Sequence, residues 1–171
     1  MHSLARLLAF AAFAAVALPQ FAAAQQHMNM PGMDMHESKS TAPYRPGLGD
    51  LMTTLVQPRH IKLGLAGQAQ NWPYAAYELG ELREAFDTVA KLVLKHGKLV
   101  IADALGATVK QPLAALDTAI KAKDEPGFTA AYAALTQSCN ACHQSADHPA
   151  IVIQVPTASP FPDQDFRPPK P

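Results

Sequence analysis

The stretch FTAAYAALTQSCNACH, residues 128–143, combines a helical pattern with both cysteines of the chain. Its apolar residues recur at steps of four and three: Phe128, Tyr132, Leu135, Cys139 and Cys142. This spacing places them on one face of an α-helix. We therefore predict a last helix that carries the two cysteines on its buried face, near its C-terminal end.

The first helix is predicted to begin at Asp50, a suitable N-cap residue. Residues at helical spacing then define its inner face: Met52, Val56, His60, Leu63 and Gly67. Pro58 lies inside this pattern, and because proline lacks the amide donor it should kink the helix or start a second segment. Asn71-Trp72-Pro73 ends this element and starts the next.

The second helix has the clearest pattern of the chain. Its inner face repeats every three or four residues: Ala75, Leu79, Leu82, Phe86, Val89 and Val93. Glu78 and other charged residues are placed off this stripe. Lys95 and His96 are expected in the last turn, where they suit the negative pole of the helix, and Gly97 suits a left-handed cap.

The third helix follows an ambiguous segment, residues 97–111. It is predicted from Pro112 to about Lys123, with Leu113, Leu116 and Ile120 on its inner face. Four helices with short connections predict an all-α fold, an antiparallel four-helix bundle. After Asp147 the β-branched stretch IVIQVP and repeated prolines predict an extended Pro-rich C-terminal tail instead of a fifth helix.

The N-terminus reads as a secretory signal peptide, residues 1–24. Arg6 precedes an apolar run from Leu7 to Leu18, and three alanines provide a cleavage site. The run is about 12 residues long, whereas a membrane-spanning helix needs ~20. We therefore expect export to the periplasm and no membrane insertion after cleavage.

The mature chain is predicted to have three parts. Residues 25–46 form a disordered tail rich in Met and His, residues 47–147 form the helical domain, and residues 148–171 form the extended tail. Lys plus Arg and Asp plus Glu number 14 each, and no basic stripe points to nucleic acid. No Ser-His-Asp set or carboxylate pair stands out, so no enzyme activity is predicted.

Four interpretations compete for the pair Cys139 and Cys142. A disulfide is common in exported proteins, but this one would close a very small loop and stabilise little. A thioredoxin-like pair needs a βαβ context, which the helical residues before Cys139 do not provide. Zinc needs four ligands, and these cysteines with His143 supply three. The fourth interpretation is covalent haem attachment by C-x-x-C-H.

Haem attachment uses every element of the motif CNACH. Cysteines three residues apart share a helix face, and each can add to a haem vinyl group. His143, four residues after Cys139, can reach the iron as an axial ligand. We therefore predict one covalently bound haem, held by Cys139 and Cys142, with His143 as the proximal iron ligand.

A helical bundle with C-x-x-C-H near the end of its last helix resembles the cytochrome c-prime group. That group includes low-spin relatives in which a methionine early in helix one binds the iron. The resemblance covers residues 49–144, and the extension ending FPDQDFRPPKP departs from it. The stretches RHIKLGLAGQAQNW and CNACHQ are also similar to exported bacterial proteins of unassigned function.

Two residues on the inner face of the first helix are candidates for the sixth iron ligand. If the first and last helices are antiparallel neighbours, His143 lies near the level of Met52. His60 is eight residues further, about 12 Å along a straight helix, although a kink at Pro58 would alter that distance. Met52 is also the choice that the low-spin relatives imply. The third option is that neither binds, which leaves the position open.

The segment HMNMPGMDMHE, residues 27–37, is a candidate copper site. Four methionines and two histidines supply its ligands: Met28, Met30, Met33, Met35, His27 and His36. Thioether sulfur selects copper(I), and imidazole also binds copper. A solvated linker is the alternative interpretation of this composition.

The sequence therefore predicts a periplasmic c-type cytochrome for one-electron transfer with a redox partner protein. An open sixth position would instead favour binding of a small gas such as nitric oxide. A copper-handling protein that uses the N-terminal segment is the second alternative. A homodimer is a further option for its assembly.

Overall fold

The chain folds mainly into helices, as predicted, with one short hairpin between them. A computed structural model describes residues 43–170, so the predicted signal peptide and the Met- and His-rich segment lie outside the described residues. The elements are α1 (Leu48–Leu51), a π-helical segment (Met52–Val56), α2 (Gln57–Gln68), α3 (Trp72–Leu92), β1 (Lys95–His96), β2 (Leu99–Val100), α4 (Ile101–Thr108), α5 (Lys110–Ala122) and α6 (Glu125–Ser145).

The first predicted helix changes its geometry next to Pro58. The backbone N–H of Gln57 donates to the carbonyl of Met52, five residues earlier, which makes the turn π-helical. Pro58 is then the second residue of α2, a position where its missing N–H is tolerated. The prediction of a second segment at this proline is confirmed.

The structure corrects two details predicted for the second helix. Glu78 is buried and only 1% exposed, although its position was predicted to lie off the inner face. An ion pair with Arg59, at 3.4 Å, compensates its charge. The helix also ends at Leu92, so His96 lies in the hairpin instead of the last helical turn. Gly97, with φ of 56°, provides the positive φ of the hairpin turn and does not cap a helix.

The ambiguous segment contains the second hairpin strand and α4. Helices α4 and α5 meet at Val109, and α5 ends with Lys123 in the left-handed conformation. The side chain of Asp124 then accepts a hydrogen bond from the backbone N–H of Gly127, at 3.1 Å, and caps α6. The predicted third and fourth helices are therefore present, and α5 begins two residues earlier than predicted.

The helices enclose one apolar core, in which α4 packs on α3 and α6. Helix α2 packs on α3 and α6, and α5 packs on α3 and α6. Two glycines of α2 permit its close approach to α6. A Cβ atom on Gly64 would lie 2.5 Å from the Tyr132 hydroxyl oxygen, and a Cβ atom on Gly67 would overlap the ring of Phe128. Larger residues at either position would push α2 and α6 apart.

Residues 148–170 contain no helix or strand but pack against the helices, and we call them the C-terminal strap. Phe166 is only 8% exposed in the core. The Asn71 side chain donates to the carbonyl oxygens of Phe166 and Arg167, at 3.2 and 3.1 Å. Gln68 donates to the carbonyl oxygen of Pro156 at 3.0 Å. The sequence predicted an extended segment but not this packing.

Candidate functional site

The end of α6 forms one wall of a cavity of about 340 Å³. The π-helical segment, the hairpin, α4 and the C-terminal strap form its other walls. Most lining residues are apolar and include Leu48, Val56, Phe86, Leu99, Ile101, Leu105, Val109, Ile151 and Ile153. Seven more bear reactive or ligating groups: Met52, His60, His96, Cys139, Cys142, His143 and His148. The motif CNACH and both candidate sixth ligands therefore share one mainly apolar cavity.

The two cysteines are half-buried free thiols. Burial, and secondly the neighbouring Cys142, raise the pKa of Cys139 to about 11. Burial also raises the pKa of Cys142. Both residues are consequently thiols at neutral pH, whereas the thiolate is the form that binds metals and attacks disulfides. The raised pKa values are unlike the lowered pKa of a reactive thioredoxin-type cysteine.

His143 has a defined tautomer. Its Nδ1 atom lies 2.8 Å from the backbone carbonyl oxygen of Ile151, in the C-terminal strap. A carbonyl oxygen can only accept, so Nδ1 carries the proton. The Nε2 atom of the neutral ring therefore keeps its lone pair, which is the state of a metal-binding histidine.

The two candidate sixth ligands lie in different environments. Met52 is half-buried in the cavity wall and is the first residue of the π-helical segment. Interruptions of this kind are frequent at functional sites. A thioether sulfur is a weak hydrogen-bond acceptor, so iron binding by Met52 would not cost a strong hydrogen bond.

His60 is a buried core residue, and each of its ring nitrogens lies within hydrogen-bonding distance of a hydroxyl group. Its Nε2 atom lies 3.1 Å from Oγ1 of Thr136, and its Nδ1 atom lies 3.0 Å from the Tyr132 hydroxyl. The Thr136 hydroxyl donates to the Tyr132 carbonyl, so it accepts from Nε2–H. Burial lowers the pKa of His60 to about 4. Iron binding by His60 would require its ring to give up the buried contacts with Thr136 and Tyr132, whereas Met52 has no such contacts to lose among the described residues.

A second pair of histidines lies at the cavity and was not predicted as part of a site. The Nε2 atoms of His96, in the hairpin, and His148, in the strap, lie 3.1 Å apart. At this distance one ring donates a hydrogen bond to the other. The pair joins the hairpin to the strap beside the cavity. Neither residue belongs to a recognisable motif, so only the tertiary structure identifies this contact.

No protein-family model, no curated protein and no solved structure matches the chain. Within residues 43–170, no helix is long and apolar enough to cross a bilayer. The same residues contain no group of three or more His, Cys, Asp or Glu side chains arranged to hold a metal ion. The function must therefore be argued from the chemistry of the cavity residues.

Proposed function

We propose that this protein is a c-type cytochrome in which Cys139, Cys142 and His143 hold one covalently attached haem. The observation that carries the proposal is the hydrogen bond between Nδ1 of His143 and the carbonyl oxygen of Ile151, at 2.8 Å. It leaves the Nε2 lone pair for iron, beside two thiols and in a mainly apolar cavity. These features would suit a haem, which Cys139 and Cys142 would hold covalently and whose iron His143 would bind.

One-electron transfer is the function that the cavity supports best. A haem held by His143 and a second protein ligand would supply one-electron chemistry between the ferrous and ferric states. Met52 is the proposed second ligand, because it lines the cavity and has no hydrogen-bonded role of the kind that His60 has. The apolar residues of the hairpin and α4 would exclude water from the site. A redox partner protein would exchange the electron.

Gas binding is the alternative function. The apolar lining of the cavity favours a small uncharged ligand over a charged one. If Met52 does not bind iron, a gas ligand would bind in a cavity whose lining includes Leu48, Val56 and other apolar side chains. Such a position suits a small diatomic molecule such as nitric oxide. Whether Met52 binds the iron therefore distinguishes electron transfer from gas binding.

The proposed fold is an antiparallel four-helix bundle of the kind found in the cytochrome c-prime group. The first helix of the bundle would consist of α1, the π-helical segment and α2. The second would be α3, the third α4 with α5, and the fourth α6. The pairings of α2 with α3 and α6, and of α5 with α3 and α6, support this arrangement. Export by the predicted N-terminal signal would place the protein in the periplasm.

Intact mass spectrometry tests the attachment. Mature protein made with the haem-attachment machinery is expected to exceed its polypeptide mass by one haem, and denaturation should not release it. The double variant Cys139→Ala/Cys142→Ala should lose the added mass. Ser138→Ala, a neighbouring change on the same helix, should keep it. A bare polypeptide mass for the unaltered protein would refute the proposal.

A further inference from the structure

Asn140, the second residue of CNACH, holds the strap with both polar atoms of its side-chain amide. Its Nδ2 atom donates to the carbonyl oxygen of Ile153 at 2.9 Å. Its Oδ1 atom accepts from the backbone N–H of the same residue at 2.7 Å. Both backbone groups of Ile153 are thereby paired, much as they would be in a strand pair. This contact, which we call the Asn140 clamp, fixes one point of the strap.

The clamp lies two residues beyond Ile151, whose carbonyl oxygen accepts the hydrogen bond from His143. On the other side of Ile151, the backbone N–H of His148 donates to the carbonyl of His143 at 2.8 Å. The N–H of Ile151 in turn donates to the carbonyl of His148 at 3.0 Å. The strap is therefore fixed on both sides of Ile151, and both anchors belong to the segment that carries the motif.

We infer that Asn140 is a positioning residue for His143, acting through the strap. By holding Ile153, it keeps the carbonyl oxygen of Ile151 on Nδ1–H of His143 and so fixes the tautomer and orientation of the ring. The part of this inference that concerns iron rests on the proposed haem attachment. The part that concerns the tautomer of His143 does not.

The clamp has a consequence for the reduction potential. A carbonyl that accepts from the second nitrogen of a metal-bound histidine makes the imidazole more basic. A more basic ligand stabilises the ferric state over the ferrous state. Loss of the clamp would weaken the hydrogen bond from His143 to Ile151, so the ferrous state would gain relative stability and the reduction potential would rise.

The experiment compares Asn140→Ala with Gln68→Ala in the full mature protein. Gln68 also donates to the strap, at Pro156, with a distance of 3.0 Å, so its loss removes a strap contact outside the clamp. In haem-loaded protein, Asn140→Ala should raise the reduction potential by about 59 mV, which corresponds to a tenfold change in the ferric-to-ferrous ratio for one electron. Gln68→Ala should leave the potential unchanged.

Nitrogen-15 NMR of His143 in haem-free protein gives a readout that does not depend on the cofactor. The unaltered protein and Gln68→Ala should show the Nδ1–H tautomer, whereas Asn140→Ala should show a mixture of tautomers. If Asn140→Ala loses helical content, Ile153→Pro is the second variant, because proline has no N–H to donate to the Asn140 side chain. It should change the tautomer in the same direction.

The outcomes separate the two proposals. Unchanged Nδ1–H tautomer in both Asn140→Ala and Ile153→Pro overturns the positioning role, whether or not haem is bound. An unchanged potential in haem-loaded Asn140→Ala also overturns it. A protein without covalent haem, but with a tautomer that depends on Asn140, would refute the proposed function and retain the positioning role.

Discussion

The rings of His60 and Tyr132 stack in the core with their centroids 4.7 Å apart and their planes at 30°. This contact joins α2 to α6 beside the cysteine-bearing turn. The Tyr132 hydroxyl also lies 2.7 Å from the backbone carbonyl of His60, to which it donates. The neutral imidazole is thus enclosed between the two helices, and its protonation should be costly because burial disfavours the charged form.

Stability is predicted to fall at acidic pH because of His60. Burial lowers its pKa from 6.5 to about 4 in the folded protein, so between these values the unfolded chain binds more protons. The free energy of unfolding that depends on neutral His60 is fully present above pH 6.5 and is lost as the pH falls through about 4. A shift of this size corresponds to about 3 kcal/mol.

Urea unfolding at pH 7 and pH 4.5 checks this prediction. His60→Gln is expected to be less stable at pH 7 and to show a weaker loss of unfolding free energy on acidification. His143→Gln is the matched control, since that residue lies at the cavity wall and should leave the acid dependence from His60 in place. An equal pH dependence in His60→Gln and the unaltered protein would contradict the prediction.

Gly67→Ala is predicted to destabilise the fold, because its methyl group would overlap the ring of Phe128. Forcing extra volume into a packed contact typically costs about 1–3 kcal/mol. Gly80→Ala is the control, since no atom lies within 4 Å of a Cβ built there. That change should stabilise the helix by roughly 0.5–1 kcal/mol. Chemical denaturation measures both, and two effects of the same sign would argue against close packing of α2 on α6.

Met52→Ala is predicted to remove the proposed sixth iron ligand of the haem-loaded protein. The oxidised absorption spectrum should lose its sulfur-to-iron band, and the reduced protein should bind carbon monoxide more readily. Val56→Ala changes the same cavity wall without removing a sulfur and should keep the band. An unaltered protein with a high-spin spectrum that binds carbon monoxide without displacing a ligand would favour the gas-binding function.

Phe166→Ala is predicted to lower the free energy of unfolding by about 3 kcal/mol, the usual cost of deleting a buried aromatic ring. Phe166 is 8% exposed and stacks on Tyr74, with ring centroids 5.7 Å apart. Phe161, a half-buried residue of the same strap, is the control, and Phe161→Ala should cost less. Thermal unfolding compares the two. Equal stability of Phe166→Ala and the unaltered protein would mean that the strap does not contribute to the core.

Deletion of residues 25–37 is predicted to abolish copper(I) binding and to leave the haem spectrum unchanged. Thioether sulfurs of Met28, Met30, Met33 and Met35 are soft ligands, and copper(I) should gain more from them than zinc does. Competition titration with a copper(I) chelator measures the affinity, and zinc serves as the comparison ion. Equal copper(I) affinity with and without the segment would identify it as a linker.

The local pattern of the chain was sufficient to predict the cysteine motif and the helices other than α4. The inner face of α3 follows from apolar spacing alone, and Ala75, Leu79 and Val89 are buried as expected. The change of geometry before Pro58 follows from its missing amide donor. These features depend on residues a few positions apart, which is why they can be predicted without the fold.

The tertiary structure decided the roles of the individual site residues. His60 shares its inner face with Met52, but its partners Thr136 and Tyr132 lie more than 70 positions away, at separations of 76 and 72. Glu78 is buried because Arg59, on another helix, pairs with it. Such contacts depend on how the helices meet, and the spacing of residues within one helix carries no information about them.

The proton position on His143 shows most clearly which features the sequence predicts and which depend on the tertiary structure. The motif CNACH is visible in the sequence and by itself predicts an axial histidine. Which nitrogen keeps its lone pair depends on the carbonyl oxygen of Ile151, in a segment whose sequence predicts only an extended conformation. That carbonyl reaches Nδ1 because the strap turns back along α6, and a backbone acceptor has no signature in the identity of its side chain.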